Sequence, residues 1–214
     1  MKQLFQLDSK FMQALTTLGD YILLNLLFLI FCAPIVTIGA AKTAMYRAMF
    51  ELLEDNGALY KKFCKTFFRD FFPAMGMFLL KYVVVALLLW MLMITGANAI
   101  PLRKVVLFAQ GLFLLGWLMV FSNVFAQISR FKSTFSQYLH NALYIALTHP
   151  LKSLLTALMD VAPIALFLLD PGMMALLFPV WMFLYFSVTG NLSAKIWKKP
   201  FDYYISSMEG EAEN

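Results

Sequence analysis

The 214-residue chain is 62% hydrophobic and only 14% charged, against roughly 25% charged in an average soluble domain. Its length suits one domain, and its composition sets it apart from water-soluble domains. The net charge of +5 sits beside apolar runs rather than on a soluble face, so the implied partner is an anionic lipid leaflet and not nucleic acid. Cys32 and Cys64 are not spaced as a Cys-x-x-Cys pair, which excludes a metal or redox knuckle and argues against a disulfide framework.

In chain order, Leu4, Leu7, Phe11, Leu15 and Leu18 recur at three- and four-residue steps. Lys2, Gln6, Lys10, Gln13 and Thr17 fall mostly on another face. This predicts an amphipathic helix, lying in the membrane interface or packed against its own bundle. Residues 21–38 carry no charge and read as a first membrane span of about 27 Å. Pro34 can break that helix near its far end. The apolar run is too long, and its start too mixed, for a secretory signal. Bulky Phe31 before Cys32 argues against a lipoprotein site, so the span is expected to be retained.

Residues 39–72 form the longest polar segment. Met45, Met49 and Leu52 mark one helix, closed by Asn56-Gly57. A second helix carries Phe63, Phe67 and Phe71 beside Lys61, Lys62, Lys65 and Arg69. It reads as an interfacial helix with aromatics at headgroup depth and cations on anionic lipid. Further spans are predicted at about 73–97, 105–127, 151–169 and 173–194. Between the third and fourth lies a helix over about 134–148, with His140, Asn141 and Tyr144 on one side. Asp170-Pro171-Gly172 predicts a tight turn, and residues 196–214 a C-terminal tail with a disordered acidic end. The fold class is thus all-α: a polytopic membrane bundle of about five transmembrane helices plus amphipathic interfacial helices.

Pro34, Thr37 and Gly39, followed by Thr43, Ala44 and Tyr46, resemble the "PIxTxG…TAxY" segment of the YesL-like family of bacterial integral membrane proteins. The aromatic-basic run at 63–72 and the stretch at 140–143 echo it. The resemblance implies a multi-span inner-membrane protein associated with carbohydrate uptake systems, and it supplies no catalytic residues. A non-enzymatic accessory or regulatory membrane component is therefore expected, with a membrane transport complex as its expected partner. The alternative is a small transporter or channel.

With five spans the segments 39–72, 128–150 and beyond 194 share one side and carry most of the Lys and Arg. The positive-inside rule makes that side cytoplasmic, with the N-terminus outside and the C-terminus inside. Within the spans Asp160 is the sharpest residue, because an ionised carboxylate in hydrocarbon costs about 2.5–3.5 kcal/mol on insertion scales. Lys81 is expected at matching depth, so the two form a candidate intramembrane pair. A structural Asp160, hydrogen-bonded to Asn123 or another helix, remains open, as does a Lys81 that snorkels. Asn25 reads as interhelical glue. His140 and His149 stand about 13 Å apart on a helix with no third ligand. With no phosphate loop, nucleophile elbow or carboxylate pair either, the expectation is no catalysis, no metal and no cofactor.

Overall fold

The structure, a computed structural model, describes residues 2–54, 57–98 and 102–212, all helix and connection with no strand among them. Helix α1 spans Lys2–Phe31, and a single 3-10 turn over Ile35–Thr37 leads into α2 (Ile38–Leu53). Then come α3 (Leu59–Arg69), α4 (Phe71–Ala97), α5 (Arg103–Arg130), α6 (Phe135–Thr148) and α7 (Pro150–Leu169). After α7 the chain breaks into α8 (Pro171–Leu176), α9 (Phe178–Val180) and a π-helical turn over Trp181–Tyr185, before α10 (Phe186–Ala212). The α2 end expected at Asn56 and the stop at Pro101 lie outside the described residues, as do the side chains of residues 2–11.

Among the described residues, three helices are long and apolar enough to cross a membrane: Phe71–Ala97, Arg103–Arg130 and Pro150–Leu169. This is the character of a membrane protein. The first expected span is shorter than predicted. Its apolar part is Leu15–Phe31, because Pro34 ends the helix early and Thr37 closes the bend, its hydroxyl donating to the carbonyls of Phe31 and Pro34 at 2.5 and 2.6 Å. The expected fifth span is not one helix. Asp170 caps α8 by accepting from the Met173 N–H at 3.0 Å, with Pro171 in the first turn, where its missing N–H costs nothing. The tight turn at Asp170-Pro171-Gly172 is therefore the start of a helix. Leu177 and Pro179 then interrupt the path before the π-turn.

The largest revision concerns α2, expected as a helix of a polar, positively charged cytoplasmic segment. It is buried from Gly39 to Glu51 apart from Lys42 and Arg47, and forms the middle of the bundle against α3, α4, α5 and α10. Small residues make this possible. A Cβ on Gly39 would meet the Ala74 carbonyl oxygen at 2.5 Å and the Phe78 Cβ at 2.7 Å, and Ala40, Ala41 and Ala44 are fully buried beside it. Helix α2 runs back along α1: Thr16, Asp20 and Leu24 of α1 line one groove with Leu52 and with Ala58 and Tyr60 at the start of α3.

The aromatics of α3 also differ from expectation. Phe63 and Phe67 are buried against Phe31 rather than set at headgroup depth, while Phe68 and Phe72 are the exposed rings. The C-terminal segment is helical rather than a disordered tail. Helix α10 continues through Pro200, with Trp197 and Phe201 wholly buried. Arg130 fastens this end. It pairs with Glu54 and, at 2.6 Å, with Asp202, and its guanidinium lies 4.6 Å from the centre of the Phe50 ring.

Candidate functional site

Helix α7 carries a proline at position 163, and a proline has no N–H for the carbonyl four residues earlier. That carbonyl belongs to Met159, and Tyr185 of the π-turn donates its hydroxyl to it at 2.8 Å. The π-turn has its own displaced carbonyls. Asn25 of α1 donates to those of Trp181 and Met182 at 3.2 and 2.7 Å, and its Oδ1 accepts from the Ser187 N–H at 3.0 Å. Nearby, Asn191 donates to the Tyr21 hydroxyl. Two broken helices are thereby held in a fixed relation, and Asp160 projects between them.

Asp160 meets two cations. Lys42 of α2 pairs with its Oδ2, and Lys81 of α4 reaches the same oxygen at 3.7 Å. Side-chain exposures are 21% for Lys42, 15% for Asp160 and 5% for Lys81. Each ammonium also lies near a ring: Lys42 over Phe125 at 5.4 Å and Lys81 over Tyr82 at 5.6 Å, which eases burial of the cations. The structure thus brings Lys81 and Asp160 together, and Lys81 is buried rather than snorkelled. Asp160 is not bonded to Asn123, which donates to the Ala142 carbonyl at 3.4 Å and accepts from Gln127.

Lys42 went unassigned to this site because it was counted with the basic residues of the cytoplasmic segment 39–72. The signal was a lone charge directly after Gly39-Ala40-Ala41, a run suited only to close helix packing. Around the three charges is a cavity of about 280 Å³, lined by Tyr46, Tyr82, Tyr185, Thr189 and Ser193 as well as by Phe28, Ile38 and Ile164. Hydroxyls and ammoniums with one carboxylate can bind and orient a polar group. Among the described residues no three His, Cys, Asp or Glu come together as metal ligands.

The basic helix is partly neutralised from within. Lys62 pairs at 3.3 Å with Glu51, which also pairs with Arg47, and Arg69 donates from Nε to Asp70 at 2.8 Å. Lys61 and Lys65 are exposed beside them. Burial would push the Glu51 carboxyl up, but Arg47 and Lys62 outweigh it and hold the group below its usual range. The Arg69 guanidinium is pushed up by its hydrogen bond to Asp70.

The family-like residues all do structural work at one crossing. Pro34 and Thr37 make the bend, Gly39 admits α4, Thr43 returns a 3.1 Å hydrogen bond to the Gly39 carbonyl, and Ala44 and Tyr46 are buried behind them. Comparison with known proteins agrees in location. No curated protein and no solved structure matches the chain, whereas residues 21–92 match the family described as "Protein of unknown function, DUF624".

Proposed function

We propose that this is a multi-pass cell-membrane protein of the YesL-like kind, acting as a non-enzymatic accessory or regulatory component of solute uptake, with carbohydrate the solute class suggested by the resemblance. The observation that favours this over a conduit is the separation of the polar cavity at Asp160 from two other cavities among the described residues. Lys42 and Lys81 converge on one Asp160 oxygen, and the cavity around them shares no lining residue with the groove at Leu52–Tyr60 or with the cavity of about 360 Å³ beside His140 and Tyr144. A carrier needs a polar path reaching both sides, whereas an accessory protein needs only a stable body and a docking surface. The transporter reading rests on the helix breaks at Pro163 and in the π-turn next to Asp160, features that discontinuous carrier helices share.

For orientation, we place the basic helix α3, the Arg130 cluster and the C-terminus in the cytoplasm. Because α1 packs antiparallel to α2, with Asp20 near Leu52 and Tyr60, we place the N-terminus on that side as well, in place of the outside location that five simple crossings imply. Arg103 and Lys104 then remain as the basic residues of the far side.

The test has two arms. Deleting the protein should lower sugar uptake by cells, while the purified chain in proteoliposomes should move no sugar unaided. Uptake by the chain alone would make it a transporter. Single cysteines at positions 2 and 61 should both resist an impermeant reagent in intact cells.

A further inference from the structure

The central cluster is not electrically balanced. Two ammoniums face one carboxylate, and among the described residues no other charged side chain lines the cavity. In a low-dielectric interior an uncompensated cation is costly, and the usual remedy is a second anion. Beside the excess charge there is room for one: about 280 Å³, about nine waters by volume. The hydroxyls of Tyr46, Thr189 and Ser193 border the same space, but Thr189 already donates to the Tyr185 carbonyl at 2.8 Å and Ser193 to the Met159 sulfur at 3.7 Å, so the two ammoniums are the donors that a second anion would meet.

Phe28, Ile38, Ile164 and Phe186 supply apolar lining. At the rim, Tyr82 of α4 and Ile164 of α7 are 40% and 51% exposed. Tyr82 lies near the middle and Ile164 in the last third of helices that are long and apolar enough to cross a membrane, and the nearby Leu79, Val83 and Phe167 are exposed hydrophobics as well. The cavity therefore opens sideways, between two spans, towards the acyl region. A water-soluble ion would meet hydrocarbon at that mouth. A chain attached to an anionic head would not.

We infer that the cavity between α2, α4, α7 and α10 binds an anionic amphiphile that enters laterally from the bilayer, its head seated on Lys42 and Lys81 and its chain leaving between Tyr82 and Ile164. The head is a carboxylate or phosphate oxyanion, since either offers the several acceptors that two ammoniums call for. This inference is independent of the accessory role. It holds whether the bound molecule regulates the protein or is carried by it.

The full-length protein in nanodiscs of neutral phospholipid is titrated with dodecyl phosphate, dodecanol and inorganic phosphate while thermal unfolding is followed. A ligand that binds only the folded state raises the melting temperature saturably. Dodecyl phosphate should do so, at a half-saturating concentration about tenfold or more below that of dodecanol, a gap of one charged contact. Inorganic phosphate should have no effect. Lys42→Gln should abolish the shift. Because that variant also alters the ion cluster, Ile164→Trp supplies a second reading: it narrows the mouth from an exposed position, leaves every charge in place, and should abolish the shift with the starting melting temperature kept. Equal responses to dodecanol and dodecyl phosphate, stabilisation by inorganic phosphate alone, or an undiminished shift in Ile164→Trp would each overturn the inference.

Discussion

The backbone N–H of Ser187 donates to the side-chain Oδ1 of Asn25 at 3.0 Å, so one amide in the last third of α1 completes the hydrogen bonding at the start of α10. The same amide donates to Trp181 and Met182. Asn25 is fully buried and serves a π-turn whose carbonyls lack their ordinary helical donors. Asn25→Leu keeps the size of the side chain and strands those groups, at about 1–3 kcal/mol for buried unsatisfied partners. A lowered melting temperature in detergent, with unchanged helix content by circular dichroism before unfolding, is expected.

Gly39 is fixed by distance rather than by dihedral angle. A methyl there would stand 2.5 Å from the Ala74 carbonyl oxygen and 2.7 Å from the Phe78 Cβ. The first contact is main chain and cannot swing away, so α2 and α4 would have to separate. Overpacking of this sort costs about 1–3 kcal/mol, and Gly39→Ala should destabilise accordingly. Gly111→Ala, where the added Cβ meets nothing, is the control and should leave unfolding unchanged or slightly raised.

Much of the architecture is written in runs and breaks that sequence alone exposes. The long apolar stretches of α4, α5 and α7 fix three helices within a few residues, and Pro34 and Pro150 fix two ends. Two things were not legible. Helix α2 reads as amphipathic because Lys42, Arg47 and Glu51 interrupt it, yet each charge finds a partner inside the protein. Partner identity is a tertiary fact that periodicity does not carry. The final segment reads as a polar tail because its acids are conspicuous, whereas its fate is decided by Trp197 and Phe201, two rings at helical spacing. The pairing of Lys81 with Asp160 was within reach because depth along a span can be counted. The third member was missed because Lys42 was assigned to the water.

The Trp197–Phe201 contact makes the C-terminus testable. Both rings are wholly buried, and Phe201 packs against Phe50 and Phe131. Phe201→Ala should cost about 3–5 kcal/mol. A chain ending at Ile196 should fail to accumulate in membranes. Normal accumulation of that truncated form would show that α10 beyond this point is an appendage.

Glu51 gives the pH dependence its sign. Its folded-state pKa lies below the ordinary value near 4.3, so the unfolded state binds the proton more readily. The stability contributed is fully present above the unfolded pKa and is lost as pH falls through the folded one. Glu51→Gln should therefore be less stable than the parent at pH 7, and the two melting curves should approach each other as pH drops below about 4. A difference that stays constant from pH 7 to pH 3 would mean the Arg47 and Lys62 pairs contribute nothing through charge.

The three-charge cluster predicts an unequal set of substitutions. Asp160→Asn leaves two ammoniums with no anion and should be the most damaging single change, in the 3–5 kcal/mol range for breaking a buried pair. Lys81→Met leaves Lys42 on Asp160, and Lys42→Met leaves Lys81 on it; either remnant is a neutral pair, so each should cost less than Asp160→Asn. Pairing Lys81→Met with Asp160→Asn should recover only part of the loss, because Lys42 is then the stranded charge, and the same holds for Lys42→Met with Asp160→Asn. Recovery should be greatest in the triple variant, where apolar and neutral side chains replace the whole cluster. Thermal unfolding of these six variants and of Lys42→Met/Lys81→Met in one detergent measures every coupling term. Strict additivity across the set would mean that the three residues do not share an interaction. Full rescue by Lys81→Met/Asp160→Asn alone would remove Lys42 from the cluster and return it to the surface of α2.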